Sequence, residues 1–315
     1  MSRLGALGEG LVELSFDRGD DAASLGFGGD AGNICVMATR LGARTRIGGR
    51  IGEDALGEAL LGFWQRSGVE VSHLVLDTEA STGIYLNETR GAEHRFRYYR
   101  RGSAGSRLRW SDLEGSFFNG LGVLVLTGIT LAISESAAAC AEAACAQAER
   151  LGVAVACVLN HRPALGADPD RLAALAGRCQ LVLGSREEAA AIFGCAEPEE
   201  VRALLGSRVS EVVLSDGPRG AIAATGQQRR QQPAPIVTVA NAAGAGDALA
   251  GAYLARRLAG AEASEALAVA VAASSLSVEQ GGCAVSYPNA AAVAAAVERL
   301  PAAAVSRAQV SGRGR

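Results

Sequence analysis

The sequence predicts an α/β fold: a doubly wound, mainly parallel sheet flanked by helices, with a small β-sheet as a lid. Three observations carry the prediction. Strand-like apolar runs alternate with helical ones through the middle of the chain, as βαβ units require. Residues 153–159 and 212–214 are apolar without interruption, the pattern of strands covered on both faces. A pair of polar and aromatic segments, Gly83 to Glu88 and Arg95 to Arg101, breaks the rhythm and reads as a hairpin suited to covering a pocket.

Taken in order, Leu11 to Phe16 is a first segment outside the βα rhythm. Gly28-Gly29-Asp30-Ala31-Gly32-Asn33 then leads into Ile34, Met37, Ala38 and Leu41 and stops at Gly42, so a glycine pair opens a helix. The hairpin follows, its arms joined through Thr89 to Glu93. Beyond it come strand Val123 to Leu126 with helix Ser134 to Leu151, strand Val153 to Leu159 with helix Asp168 to Ala176, and strand Leu181 to Leu183 with helix Arg186 to Phe193. Residues 1–301 are expected to form one domain, with 11–16 and 83–101 as lid segments. The small, Arg-tipped tail 302–315 is expected to be disordered.

Composition excludes several function classes. The net charge of −3 offers no basic face for nucleic acid, and all 30 basic residues are Arg. A chain without Lys has no Schiff-base lysine and no P-loop ammonium. Seven cysteines, at 35, 140, 145, 157, 179, 195 and 283, include no Cys-x-x-Cys and read as reduced core residues, while His73, His94 and His161 show no zinc-ligand spacing. No apolar segment reaches membrane-spanning length, and a cytoplasmic enzyme is the expectation.

The chemistry concentrates in Asn241-Ala242-Ala243-Gly244-Ala245-Gly246-Asp247, a small-residue loop feeding an apolar-periodic stretch to Leu258. Glycines let the backbone crowd a ligand, and first-turn amides without intrahelical partners attract anions. A carboxylate beside an anion hole repels a merely bound phosphate, but it suits removal of a proton from an attacking hydroxyl. The loop therefore points to phosphoryl transfer to an alcohol. Taken alone, it also fits a tight strand-to-helix turn whose Asp complements the helix dipole. In a parallel sheet, ligands bind beyond the carboxyl ends of the strands, where Asn160, Ser185, Ser215 and this loop all fall.

Together with Gly28 to Asn33 and Gly48 to Gly57, the 241–251 loop resembles the ribokinase-like (PfkB) sugar kinases over about residues 3 to 300. Thr82-Gly83-Ile84-Tyr85, Arg97 to Ser106, Leu126 to Thr130 and Asn160-His161-Arg162 are similar to the 2-keto-3-deoxygluconate kinases within that family. The resemblance implies ATP and Mg2+, a sugar-acid substrate, and a lid that often joins a partner's lid in a homodimer or higher oligomer. It implies Asp247 as general base, with Gly244, Ala245 and Gly246 giving backbone N–H groups to the transferring phosphoryl oxygens. By the same resemblance Gly29 and Asn33 line the sugar pocket and Tyr85 and Tyr98 reach in from the lid. Arg100 and Arg162 are the candidate partners of the substrate carboxylate. Asn160, Ser185, Ser215, Gly217, Gly220 and Gly246 fall to the nucleotide, and Glu188 to magnesium, directly or through water.

Several positions depart from the pattern. Asn241 and Ala242 stand where Asp-Thr is typical, which leaves potassium activation open; Val158, Ser185 and Ser215 also replace the family's polar residues. The departures keep two alternatives in view: a kinase of a neutral sugar or nucleoside such as fructose, ribose or adenosine, or a catalytically weakened sugar-acid-binding regulator. No Gly-x-Gly-x-x-Gly follows the first strand, so a dinucleotide oxidoreductase is disfavoured.

Overall fold

In chain order the strands of the computed structural model are β1 (Arg3–Leu7), β2 (Leu11–Asp17), β3 (Ser24–Gly28), β4 (Arg44–Gly52), β5 (Glu70–Asp77), β6 (Gly83–Arg90) and β7 (Glu93–Tyr99). After them come β8 (Leu121–Thr127), β9 (Ala154–Val158), β10 (Leu181–Ser185), β11 (Glu211–Ser215), β12 (Ala221–Thr225), β13 (Gln228–Gln232) and β14 (Ala304–Arg307). The helices are α1 (Asp30–Arg40), α2 (Ala55–Arg66), α3 (Gly128–Ala132), α4 (Glu135–Leu151) and α5 (Pro169–Ala176). They continue with α6 (Arg186–Phe193), α7 (Pro198–Leu205), α8 (Ala245–Leu258), α9 (Ala263–Ser277) and α10 (Ala290–Val297). The structure describes residues 2–17, 19, 21–90, 93–113 and 115–307.

The large sheet runs β14-β13-β12-β11-β10-β9-β8-β1-β4-β5. From β5 to β11 every pairing is parallel, and β12, β13 and β14 complete the sheet antiparallel. The mainly parallel, two-sided sheet that the apolar runs predict is thus present, with one core on each face. One core packs α1, α8 and α9 around Ile34, Met37, Tyr253 and Leu267; the other packs the Ala and Cys face of α4 on β8 and β9. Small side chains on α4 (Ala137, Ala141, Ala144, Cys145, Ala148) let that helix lie close to the sheet.

Local chemistry fixes the helix starts. The Ser134 side chain caps α4 by accepting from Ala137 N at 3.1 Å, and Asp168 caps α5 ahead of Pro169. Ser185 and Glu188 form a reciprocal capping box at the start of α6. On the far edge Arg50, almost wholly buried, bridges Asp77 at 2.8 Å and Asp112 at 2.7 Å. Burial alone would raise the Asp77 carboxyl, but the Glu79 N–H and the Arg50 guanidinium outweigh it and hold the group below its usual range.

The second sheet has the order β3-β2-β6-β7. Residues 11–16 and 83–101 supply three of its strands as expected, and Ser24–Gly28 adds a fourth that the sequence reading does not identify. Register puts Glu13 beside Tyr85 and Tyr85 beside Tyr98, so these alternate residues share one face. The opposite face sends Val12 and Phe27 into the core, where the Phe27 and Phe63 rings stack at 4.6 Å.

The tail is a correction. Instead of disorder from residue 302, Ala304–Arg307 pairs antiparallel with β13 from Gln228↔Arg307 to Gln231↔Ala304, because β13 otherwise ends the sheet with open backbone donors and acceptors. Residues 308–315 lie outside the described residues.

Candidate active site

The loop before α8 and the helix itself place Asp247. Gly244 caps α8 with φ +78, and a Cβ there would sit 2.3 Å from Cys283 Sγ, so glycine is required both by conformation and by space. The Tyr287 hydroxyl donates to the Gly244 carbonyl at 2.7 Å and pins the turn. Residues 245–247 form the first helical turn, whose N–H groups lack intrahelical acceptors.

Asp247 is 8% exposed, and each carboxylate oxygen takes an amide proton: Asn33 Nδ2 donates to Oδ2 at 2.8 Å and Asn160 Nδ2 to Oδ1 at 3.0 Å. The same Asn160 nitrogen donates to Asp30 Oδ2 at 3.1 Å, while Asn33 Nδ2 also approaches Cys283 Sγ at 3.2 Å. Asp30 lies one turn before Asn33 on α1. Gly29, with φ +101, caps that helix where a Cβ would meet the Glu9 carbonyl at 2.3 Å. Burial first, and then the charge of Asp30, push the Asp247 carboxyl up to about 7 against the pull of the two amides and Arg162. Burial likewise raises Asp30, opposed by the Thr127 hydroxyl, the Asn160 amide and the Ala31 N–H.

Two cavities meet here. One, of about 830 Å³, lies between the small sheet and the sheet's carboxyl ends; Gly29, Asp30, Asn33, Tyr85, Tyr98, Arg100, Gly244 and Asp247 are among its walls. The other, of about 410 Å³, lies beyond β9, β10 and β11 and is bounded by Ser185, Glu188, Ser215 and Gly246. Asn160 and Arg162 line both, and Gly246 and Asp247 face opposite cavities from adjacent positions. Gly29, Asn33, Tyr85, Tyr98 and Arg100 line the larger cavity alone, and Ser185, Ser215 and Gly246 the smaller alone.

Several predicted partners already have partners of their own. Arg100 pairs with Glu9, whose side chain is 1% exposed, and burial pulls the guanidinium down to about 10 without discharging it at neutral pH. Arg162, half exposed, donates to Glu188 Oε1 at 3.0 Å, and Glu188 Oε2 accepts from Ser185 N at 2.9 Å. The Tyr85 hydroxyl donates to Glu13 Oε2 at 2.5 Å, and its ring stacks on the half-exposed Tyr98 at 5.5 Å. Gly217 and Gly220 do turn β11 into β12, but neither is among the walls of the smaller cavity. At Gly220 the crowding group is the Gln232 carbonyl, 2.0 Å from a built Cβ, so its lack of a side chain answers packing in the sheet. Asn241 Oδ1 accepts from Ala243 N at 2.8 Å and so braces the loop.

Among the described residues no group of three or more His, Cys, Asp or Glu could hold a metal ion, and both Glu188 oxygens are engaged. Sequence reasoning gave no role to Glu9, Glu13, Asp30, Cys283 or Tyr287. Asp30 was the findable one, since an acid three residues before Asn33 on a helix shares its face; the others reach the site only through tertiary packing.

Comparison with known proteins adds relatives. The pfkB family carbohydrate kinase model matches residues 19–290. The 2-dehydro-3-deoxygluconokinase of Thermoproteus tenax is 32% identical over 271 residues, covering 81% of this chain and 82% of that protein. The probable fructokinase-5 of Arabidopsis thaliana is 26% identical over 244 residues, 74% of this chain and 75% of that protein. A crystal structure of fructokinase from Vibrio cholerae O395 with fructose, ADP and calcium superposes with TM-score 0.83 at 28% identity, covering 94% of this chain and 99% of that one. A putative ribokinase II from E. coli in complex with ATP and Mg2+ shares the fold, with TM-score 0.86 at 20% identity over 95% of this chain and 100% of that one. Among the described residues no helix is long and apolar enough to cross a membrane.

Proposed function

The chain belongs to the pfkB family of carbohydrate kinases, and from that membership we propose that it transfers the γ-phosphoryl group of ATP to the terminal (C6) hydroxyl of 2-keto-3-deoxygluconate. It is a phosphotransferase with an alcohol group as acceptor. The observation that carries the mechanism is the station of Asp247, on the wall of the larger cavity next to Gly246 on the wall of the smaller. The sugar hydroxyl oxygen attacks the γ-phosphorus, the bond to ADP breaks, and the proton passes to Asp247. Gly244 and Gly246 turn N–H groups toward the equatorial oxygens as their negative charge redistributes, and the Ala245 N–H, which donates to the Ala242 carbonyl at 3.3 Å, has to leave that bond to join them. A divalent cation, when bound, neutralises the β- and γ-phosphate oxygens. Asn33 and Asn160 hold the base still by bonding one oxygen each.

Substrate assignment rests on the relationship to the Thermoproteus tenax enzyme and on Arg100 and Arg162 in the cavity wall. A second reading, a neutral sugar, is favoured by one observation: Glu9 already neutralises Arg100 inside the cavity. A coupled ADP-release assay across 2-keto-3-deoxygluconate, fructose and ribose decides between them. The sugar acid is expected to give the highest kcat/KM, and a higher value for either neutral sugar overturns the assignment. In the same assay Asp247→Asn loses about 10²–10⁴ of the turnover, the range a general base supplies.

A further inference from the structure

We infer that Asp30 is a positioning residue of the phosphoryl transfer: joined to Asp247 through the Asn160 amide, it makes the two carboxylates one acidic unit that holds and releases a single proton.

Asn160 has two amide protons, and both are spent, one on Asp30 Oδ2 at 3.1 Å and one on Asp247 Oδ1 at 3.0 Å. Asn160 is also the single non-glycine residue with positive φ, at 32, among the described residues. A side chain rarely tolerates that backbone, and here it aims one nitrogen between two acids from different elements. Asp30 is 4% exposed and Asp247 8%, so solvent does little to screen one charge from the other.

The remaining groups facing the pair leave that repulsion in place. Arg162, in the loop after β9, attracts both carboxylates, but its own contact is with Glu188 at 3.0 Å. Cys283 and Tyr287, packed against the start of α8, are pushed up by burial and stay neutral. From α1, Asn33 contributes only amide dipoles, and the Thr127 hydroxyl and Ala31 N–H serve Asp30. Two like charges around one amide cannot both stay ionised cheaply.

The consequence is chemical. An isolated, well-hydrogen-bonded Asp is too weak a base to help an alcohol near neutral pH, and the best proton acceptor has its affinity near the working pH. When the sugar hydroxyl attacks phosphorus, the proton it loses moves to Asp247 and one of two opposed charges disappears. Asp30 thereby assists the transfer through its charge, while the proton lost by the sugar settles on Asp247.

The test uses the full chain with whichever sugar it phosphorylates fastest, so it does not depend on which substrate is right. In Asp30→Asn and Asp30→Ser the acid limb of kcat/KM against pH moves down by about one pH unit or more, and plateau kcat falls, because Asp247 loses the opposing charge while its burial stays. A limb that stays in place in either variant, with native circular dichroism, overturns the inference. So does loss of turnover at every pH in a folded variant, which would make Asp30 the acceptor itself. An infrared titration needs no sugar. The wild-type chain is expected to show a carboxylic acid titrating near neutrality that vanishes in Asp247→Asn, and its absence from the wild type also overturns the inference.

Discussion

Replacing Asp247 by Asn changes how stability depends on pH, and the sign follows from burial. The Asp247 carboxyl is pushed from 3.8 up to about 7 by burial and by Asp30. Its contribution is therefore complete below the unfolded value and lost as pH rises through the folded one, because between the two the native chain keeps a proton the unfolded chain has released. One proton is worth at most about 1.4 kcal/mol per pH unit, so the wild type sheds up to about 4 kcal/mol across that window. The Asn variant cannot ionise there and also relieves Asp30. Its amide nitrogen must face the Asn33 or Asn160 amide, a cost of about 1–3 kcal/mol that does not vary with pH. Urea unfolding at pH 5, 6, 7 and 8 separates the two effects, since the titrating groups outside the Asp30–Asp247 pair are common to both proteins. The wild type is expected to lose a few kcal/mol relative to the variant between pH 5 and pH 8. Parallel stability curves would refute the argument from burial.

Three further outcomes are expected. Glu9→Gln releases the Arg100 charge into the larger cavity, lowering KM for an anionic sugar several-fold while leaving a neutral sugar unchanged; equal shifts for both count against Arg100 as a carboxylate partner. Gly244→Ala drives a Cβ toward Cys283 Sγ and forces a non-glycine residue to φ +78, so thermal unfolding should show a loss of about 1–2 kcal/mol or more, together with reduced turnover. Truncation before Ala304 bares the β13 edge but removes little apolar burial, since Val305 is 62% exposed. Unfolding should change by less than about 2 kcal/mol while light scattering reports faster aggregation, the behaviour of an uncovered strand.

The central sheet was legible because two-sided burial writes itself as unbroken apolar runs, and helix α6 matches its expected range, Arg186 to Phe193, with Ser185 and Glu188 forming a capping box at its start. Strand β3 was not legible, because Ser24-Leu25-Gly26-Phe27-Gly28 alternates with glycine and its first two residues are exposed. The tail strand escaped notice for a related reason: Ala304–Arg307 has little pattern of its own and takes its form from β13. Within the site, the small-residue turn leading into the helix that carries Asp247 was readable from spacing, whereas spacing alone left its role open between a tight turn and an anion hole. The pairings of Arg100 with Glu9, Arg162 with Glu188 and Tyr85 with Glu13 were not readable, since each joins residues distant in the chain that only the fold brings together. A sequence shows which side chains carry charge; it does not show which charges are already spoken for.

The Arg50 bridge between Asp77 and Asp112 stands in a chain that has no lysine. Amine-directed acylating reagents find no side chain to attack, so tags and crosslinkers of that kind report only on the α-amino group. Every such bridge also keeps its cation far into alkali, which confines its failure to acid, where Asp77 finally takes up a proton.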